Sequence, residues 1–142
     1  VPATVHQAKF SMGTVLGTVA LRRHVGVRAF ETCLGAPDIA AFRGRVRMAF
    51  DPEVDAAYPR RWIGKVTVET TDGRVLDGRV DEPKGDPGNT LNRAEIEAKA
   101  LDLASYGGAA GEAEMRAALG RRWAIDGLDR VGALLPLPGE AR

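Results

Sequence analysis

At 142 residues, 44% hydrophobic and 27% charged, the chain is long enough for one domain with a real core and too apolar to be disordered. Twenty Lys and Arg against nineteen Asp and Glu leave a net charge of +1, which gives no support for nucleic-acid binding. Cys33 is the only cysteine, so no intrachain disulfide or Cys-based metal cluster is expected and a reduced, cytoplasmic setting fits. No apolar run is long enough to cross a bilayer, and residues 1–10 lack the layout of a signal peptide.

Residues 5–22, VHQAKFSMGTVLGTVALR, place Val5, Ala8, Met12, Val15, Leu16 and Val19 at helical spacing, which predicts one helix. Gly13 and Gly17 weaken that helix intrinsically, and their spacing of four suggests a face held open for another backbone, hence a buried helix. VRAFETCL makes a short second helix ended by Gly35, and a further turn after Pro37 carries Ile39 and Phe42. RVRMAF then alternates: Val46, Met48 and Phe50 face one way, Arg45, Arg47 and Ala49 the other. That pattern predicts a half-buried strand. DPEVDAAYP follows as a loop or a single helical turn.

IGKVTVETTDGRVLDGRV predicts a β-hairpin whose register can be argued. A two-residue Asp72-Gly73 turn would set Val68 opposite Asp77. A three-residue loop, Thr71-Asp72-Gly73 with Gly73 left-handed, instead pairs Val68 with Leu76, Val66 with Gly78, Glu69 with Val75 and Lys65 with Arg79. A one-residue slip exchanges the faces, so hydrophobic burial should select the second register.

The charged, Pro/Gly-rich run DEPKGDPGNTLN leads into a helix. Asn92 and Glu95 have the spacing of a capping box, and Ile96, Lys99, Ala100 and Leu103 continue one face until Tyr106-Gly107-Gly108 breaks it. A third helical block, EAEMRAALGRRWAI, and a fourth, LDRVGALL, precede the Pro136 and Pro138 tail. The order of helices, strand, hairpin and helices points to an α+β fold, two layers with helices packed on a small antiparallel sheet.

Chemistry-bearing motifs are sparse. The sequence has no Gly-rich phosphate loop, nucleophile elbow or His-x-x-x-His pair. His6 and His24 are isolated, which fits surface or structural histidines better than a metal site. Asp81, Glu82 and Asp86 cluster, but with Lys84 and the prolines they read as a solvated loop. Arg43, Arg45, Arg47 and Arg60, Arg61, Lys65 gather locally and read as solvated faces.

Five pieces in order carry a resemblance: the AKFS helix, a strand, the TTDGR hairpin, the PKGDPGNTL connection and the EIEAK helix. Together, from Ala8 to Lys99, they resemble the C-terminal region of the MmgE/PrpD family, which includes 2-methylcitrate dehydratase, cis-aconitate decarboxylase and iminodisuccinate epimerase. The resemblance implies an α+β lid-like portion over residues 1–82, a crossing over 83–91 back to a helical domain, and a C-terminal helical segment over 92–142. The chain would be part of a larger two-domain protein.

It further implies chemistry on small di- or tricarboxylates with no metal or other cofactor, most specifically the dehydration of 2-methylcitrate. The family's main acid and base residues lie mostly upstream of the AKFS helix, so the domain alone is expected to be inactive and to need the missing helical domain, in cis or as a separate chain. Lys9, Ser11 and Thr14 are the substrate-binding candidates: Lys9 would attract a carboxylate and the hydroxyls would donate hydrogen bonds. Alternatively Lys9 lies over the helix surface and the hydroxyls satisfy backbone carbonyls. Thr14 stands where the family often carries Tyr, and Ala100 where Phe is common. Epimerisation or decarboxylation on the same scaffold, or a binding module without catalysis, are the alternatives. An apolar face left by the absent domain would favour a homodimer.

Overall fold

A computed structural model describes residues 1–108 and 110–130. The chain divides into two compact units, Val1–Val46 together with the segment from Arg93 onward, and Arg47–Asn92.

In the first unit, α1 (Val5–Lys9) is started by Thr4, whose hydroxyl accepts the Gln7 N–H at 3.2 Å. The single helix expected over residues 5–22 is broken: Ser11 is extended (φ −89°, ψ 99°) and caps a new helix, α2 (Met12–Arg22). A serine whose carbonyl already accepts the Val15 N–H at 2.9 Å ends one helix and begins the next. Helix α3 (Val27–Cys33) and α4 (Pro37–Arg43, with Pro37 in its first turn) follow as expected.

The core is small. Ala8, Cys33 and Ile39 are buried, with Phe30, Leu34 and Ala36 packed against them. The glycine argument holds for the crossing of α2 with α4. A Cβ on Gly13 would stand 2.8 Å from the Arg43 Cγ, and one on Gly17 would stand 3.3 Å from the Phe42 ring. The buried face of α2 is therefore Thr14, Gly17 and Thr18, not the aliphatic stripe: Met12 and Val19 are exposed. Thr18 is satisfied by donating its hydroxyl to the Thr14 carbonyl at 2.8 Å.

Helix α6 (Arg93–Gly107) begins directly after Asn92 and ends before Gly108, which is left-handed (φ 63°). It packs on α7 (Glu112–Trp123), which a 3₁₀ turn, Ile125–Gly127, follows. Arg28 of α3 ties to α6 by donating to the Ser105 carbonyl at 2.9 Å and by lying 5.3 Å from the Tyr106 ring centroid. The helix expected over 128–135 and the proline tail fall, from residue 131 on, outside the described residues.

The second unit carries α5 (Pro52–Ala57), β1 (Gly64–Glu69) and β2 (Val75–Val80). Asp51 caps α5 by accepting the Glu53 and Val54 N–H groups. The strands pair antiparallel with Val68 opposite Leu76, Val66 opposite Gly78 and Lys65 opposite Arg79, the register argued above. Thr70 and Arg74 close the ladder, and Gly73 sits at φ 84° within the three-residue loop.

The strand expected over residues 45–50 does not form. Among the described residues the only ladder is β1 with β2, residues 45–50 are not part of it, and Met48 and Phe50 are exposed. Burial is likewise not what sets the hairpin register here, because every strand residue is exposed. The alpha-plus-beta class nonetheless holds: seven helices and one small antiparallel sheet among the described residues.

The connection after β2 is a built turn. Gly85 (φ 108°) donates to the Asn89 carbonyl at 2.8 Å, Asn89 donates back to Asp86 at 2.9 Å, and the Asn89 amide reaches the Glu82 carbonyl at 3.0 Å. Gly88 serves close approach, since the Glu82 carboxylate occupies the place a Cβ would take.

Candidate functional site

The break between α1 and α2 brings the three candidates to one corner of the first unit. Lys9 is the last residue of α1 and its side chain is exposed. Ser11 is half-buried at the N-cap of α2, and its hydroxyl does not cap its own helix. It lies 2.9 Å from the Thr14 hydroxyl instead. Thr14 is 1% exposed, so Ser11 is the hydroxyl of the pair nearer the surface. The hydroxyls thus pair with each other, and neither is used on a backbone carbonyl.

Arg43 joins this corner from α4. Its side-chain stem lies against Gly13 in the first turn of α2. The sequence grouped Arg43 with a solvated basic run, and only the α2–α4 crossing reveals its place; the Gly13/Gly17 spacing was the available signal. The first turn of α2 has no acidic residue. The positive end of the helix, Lys9 two residues before the cap and the Arg43 stem against Gly13 therefore occur without a neutralising carboxylate on that turn. Such an arrangement suits an anionic group, and the Ser11 hydroxyl supplies a directional donor.

Comparison with known families decides the assignment: the family model for the MmgE/PrpD C-terminal domain matches residues 1–125. The chain belongs to the MmgE/PrpD family. No curated protein and no solved structure gives a significant match. The match takes in the α1–α2 corner, the hairpin and both α6 and α7 of this MmgE/PrpD domain.

Elsewhere in the MmgE/PrpD domain five charged side chains form an ion-pair network. Lys65 reaches Asp51 at 2.8 Å and Glu53 at 2.6 Å, while Arg79 reaches Glu53 at 2.7 Å and Asp81 at 2.7 Å. The Arg79 guanidinium, helped by Lys65, holds the Glu53 carboxyl down at about 2. Lys65 and the Val54 N–H hold Asp51 low, and Arg79 holds Asp81 low. This network fixes α5 to the charged face of the hairpin, leaving Val66, Val68, Leu76 and Val80 on the other.

His24 is less isolated than its sequence neighbourhood suggests. Its Nε2 and the Asp102 carboxylate of α6 flank Gly26, 3.0 and 3.5 Å from where a Cβ would stand. No group of three or more His, Cys, Asp or Glu converges to hold a metal ion among the described residues. No described helix is long and apolar enough to cross a membrane.

Proposed function

We propose that this domain supplies the substrate-carboxylate side of a MmgE/PrpD-type lyase that dehydrates 2-methylcitrate or a related tricarboxylate. The observation that supports this reading is the Ser11–Thr14 hydroxyl pair at the acid-free first turn of α2, with the Arg43 stem packed on Gly13 of that turn and Lys9 two residues before the cap. Lys9 and Arg43 attract a carboxylate, Ser11 donates a hydrogen bond to it, and Thr14 orients Ser11. Dehydration requires a base to take a proton beside a carboxylate while hydroxide leaves with a proton from an acid. The corner offers cations and hydroxyls, which bind and stabilise charge, and the base and acid come from the helical part of the protein, in the same chain or another.

The test has two arms. The 142-residue chain, assayed alone with 2-methylcitrate, gives no turnover, and any turnover at enzymatic rates overturns the need for the helical part. In the enzyme reconstituted with that part, Lys9→Ala and Ser11→Ala each lower kcat/KM about 10- to 100-fold, the loss of a charge-assisted hydrogen bond of ~1.5–3 kcal/mol. Unchanged kinetics in both variants would remove the α1–α2 corner from the site. Product analysis on the same enzyme separates dehydration from epimerisation, the second reading that the Thr14 position leaves open.

A further inference from the structure

We propose that the outer edge of β1 pairs with the same edge of a second copy of this chain, antiparallel about a two-fold axis at Thr67. Among the described residues the hairpin is a two-stranded sheet, so each strand has one unpaired edge, and every strand residue is exposed. Two strands alone are marginal in water, and a bare edge is a template for another strand. The Thr70 N–H donates to the Arg74 carbonyl at 2.9 Å, and the ladder alternates from there. Gly64, Val66 and Val68 therefore bond inward to β2, and the N–H and C=O groups of Lys65, Thr67 and Glu69 point out from the edge.

The residue order along that edge, KVTVE, is complementary to itself. Placed antiparallel about Thr67, it sets Lys65 opposite Glu69 of the second copy, Glu69 opposite Lys65 of the second copy, and the two Thr67 residues face to face. These are the residues whose backbone groups point outward, so the same register also closes the interstrand hydrogen bonds. On the other face Val66 meets Val68 of the second copy, and the reverse; these side chains are 40 and 43% exposed. Moving the axis to Lys65 or to Glu69 would put like charges opposite each other, so charge selects the Thr67 register.

The charges are placed to serve this contact. Glu69 enters no ion pair among the described residues, so its carboxylate is open to a partner. Lys65 carries three N–H donors, so Glu69 of the second copy adds to Asp51 and Glu53 without displacing either. The β2 edge is the weaker candidate: Asp77 already accepts the Thr67 hydroxyl, Arg79 is held by Glu53 and Asp81, and Gly78 between them has no side chain to pack. A strand from elsewhere in the protein would be the competing occupant of the β1 edge.

Sedimentation equilibrium on the 142-residue chain, with single cysteines as reporters, tests the pairing. The chain is expected to sediment as a dimer, and a monomer at all concentrations overturns the proposal. In a Cys33→Ala background, Thr67→Cys is expected to oxidise to a disulfide at dimer mass, because directly opposed residues have Cα atoms about 5.5 Å apart. Glu69→Cys and Asp77→Cys are expected to crosslink far less. The two copies of residue 69 would lie four residues apart along the strands, about 13 Å, and those of residue 77 three strand spacings apart, about 14 Å. Equal crosslinking at the three positions, or none at Thr67→Cys, overturns the register and with it the proposal. Glu69→Lys puts lysine opposite Lys65 twice and is expected to raise the dimer Kd at least about 10-fold. Thr67→Pro removes an N–H that the hairpin itself does not use, and is expected to give a folded monomer by circular dichroism and sedimentation. A dimer whose Kd is unchanged by Glu69→Lys is held by another surface, which rejects the β1 edge even where Thr67→Pro fails to fold.

Discussion

Arg43 packs across Gly13, with its Cγ 2.8 Å from where a Gly13 Cβ would stand. Alanine at position 13 would gain about 1 kcal/mol of helix propensity but must push aside an atom close to the Arg43 backbone, an overpacking cost of roughly 1–3 kcal/mol. Gly13→Ala is therefore expected to destabilise the domain by about 1 kcal/mol net. Adding Arg43→Ala removes the clashing Cγ and returns part of that loss. Denaturant unfolding of the four members of this cycle measures the coupling, and strict additivity would mean that α2 and α4 are not held at this distance.

The hairpin loop offers a cleaner backbone test. Gly73 has φ 84°, its N–H donates to Thr70 at 3.0 Å, and no neighbouring atom lies within 4 Å of a Cβ there. Any cost of substitution is then conformational and not steric crowding. Gly73→Val is expected to lose about 1–3 kcal/mol, because a β-branched residue is strained in the left-handed region, and Gly73→Asn to lose clearly less. Equal losses for Val and Asn would contradict the turn assigned here.

What was legible in the sequence was what local chemistry decides. The hairpin register followed from the turn residues and the alternation, and the break after Tyr106 from paired glycines. The Gly13/Gly17 spacing announced a close crossing without naming its partner. Two features misled. Ser11 interrupts a perfectly periodic stripe, because a cap needs only one residue in extended conformation and periodicity does not register it. RVRMAF alternates like a strand, but alternation alone does not place a segment in a ladder, and these residues stand outside the β1–β2 sheet. The candidate site was half legible: Lys9, Ser11 and Thr14 are close in sequence, whereas Arg43 and the burial of Thr14 depend on the packing of α4.

Glu53 should report the integrity of the charged hairpin face under acid. Its carboxyl is held at about 2, against an ordinary value of 4.5, first by Arg79 and then by Lys65. A depressed carboxyl stabilises the folded unit fully above its ordinary value, and the contribution is lost as pH falls through about 2. Carboxyl NMR titration is expected to place the Glu53 midpoint near 2. Arg79→Ala moves it up toward 4.5 by more than Lys65→Ala does, following the order of the two causes. High salt raises it as well, since these groups are solvent-accessible. A midpoint already near 4.5 in the unmodified chain would mean that the network does not persist in solution.

Tyr106 carries the contact between α3 and α6 in titratable form. Its phenol donates to the Glu31 carboxylate, and that bond, with partial burial and the nearby negative charge, raises the phenol above its usual value. The Arg28 guanidinium over the ring works the other way. For a raised group the stabilisation is complete below the unfolded value and disappears as pH rises through the folded one, so the α3–α6 contact should weaken only in alkali. Glu31→Gln removes the charge while leaving an acceptor, and is expected to lower the Tyr106 midpoint in an ultraviolet titration carried out in a Tyr58→Phe background. Arg28→Ala is expected to raise it, because the one opposing influence is gone. If Glu31→Gln left the midpoint where it was, the Tyr106–Glu31 hydrogen bond would be absent in solution, leaving Arg28 on the Ser105 carbonyl and the Tyr106 ring as the polar tie between the two helices.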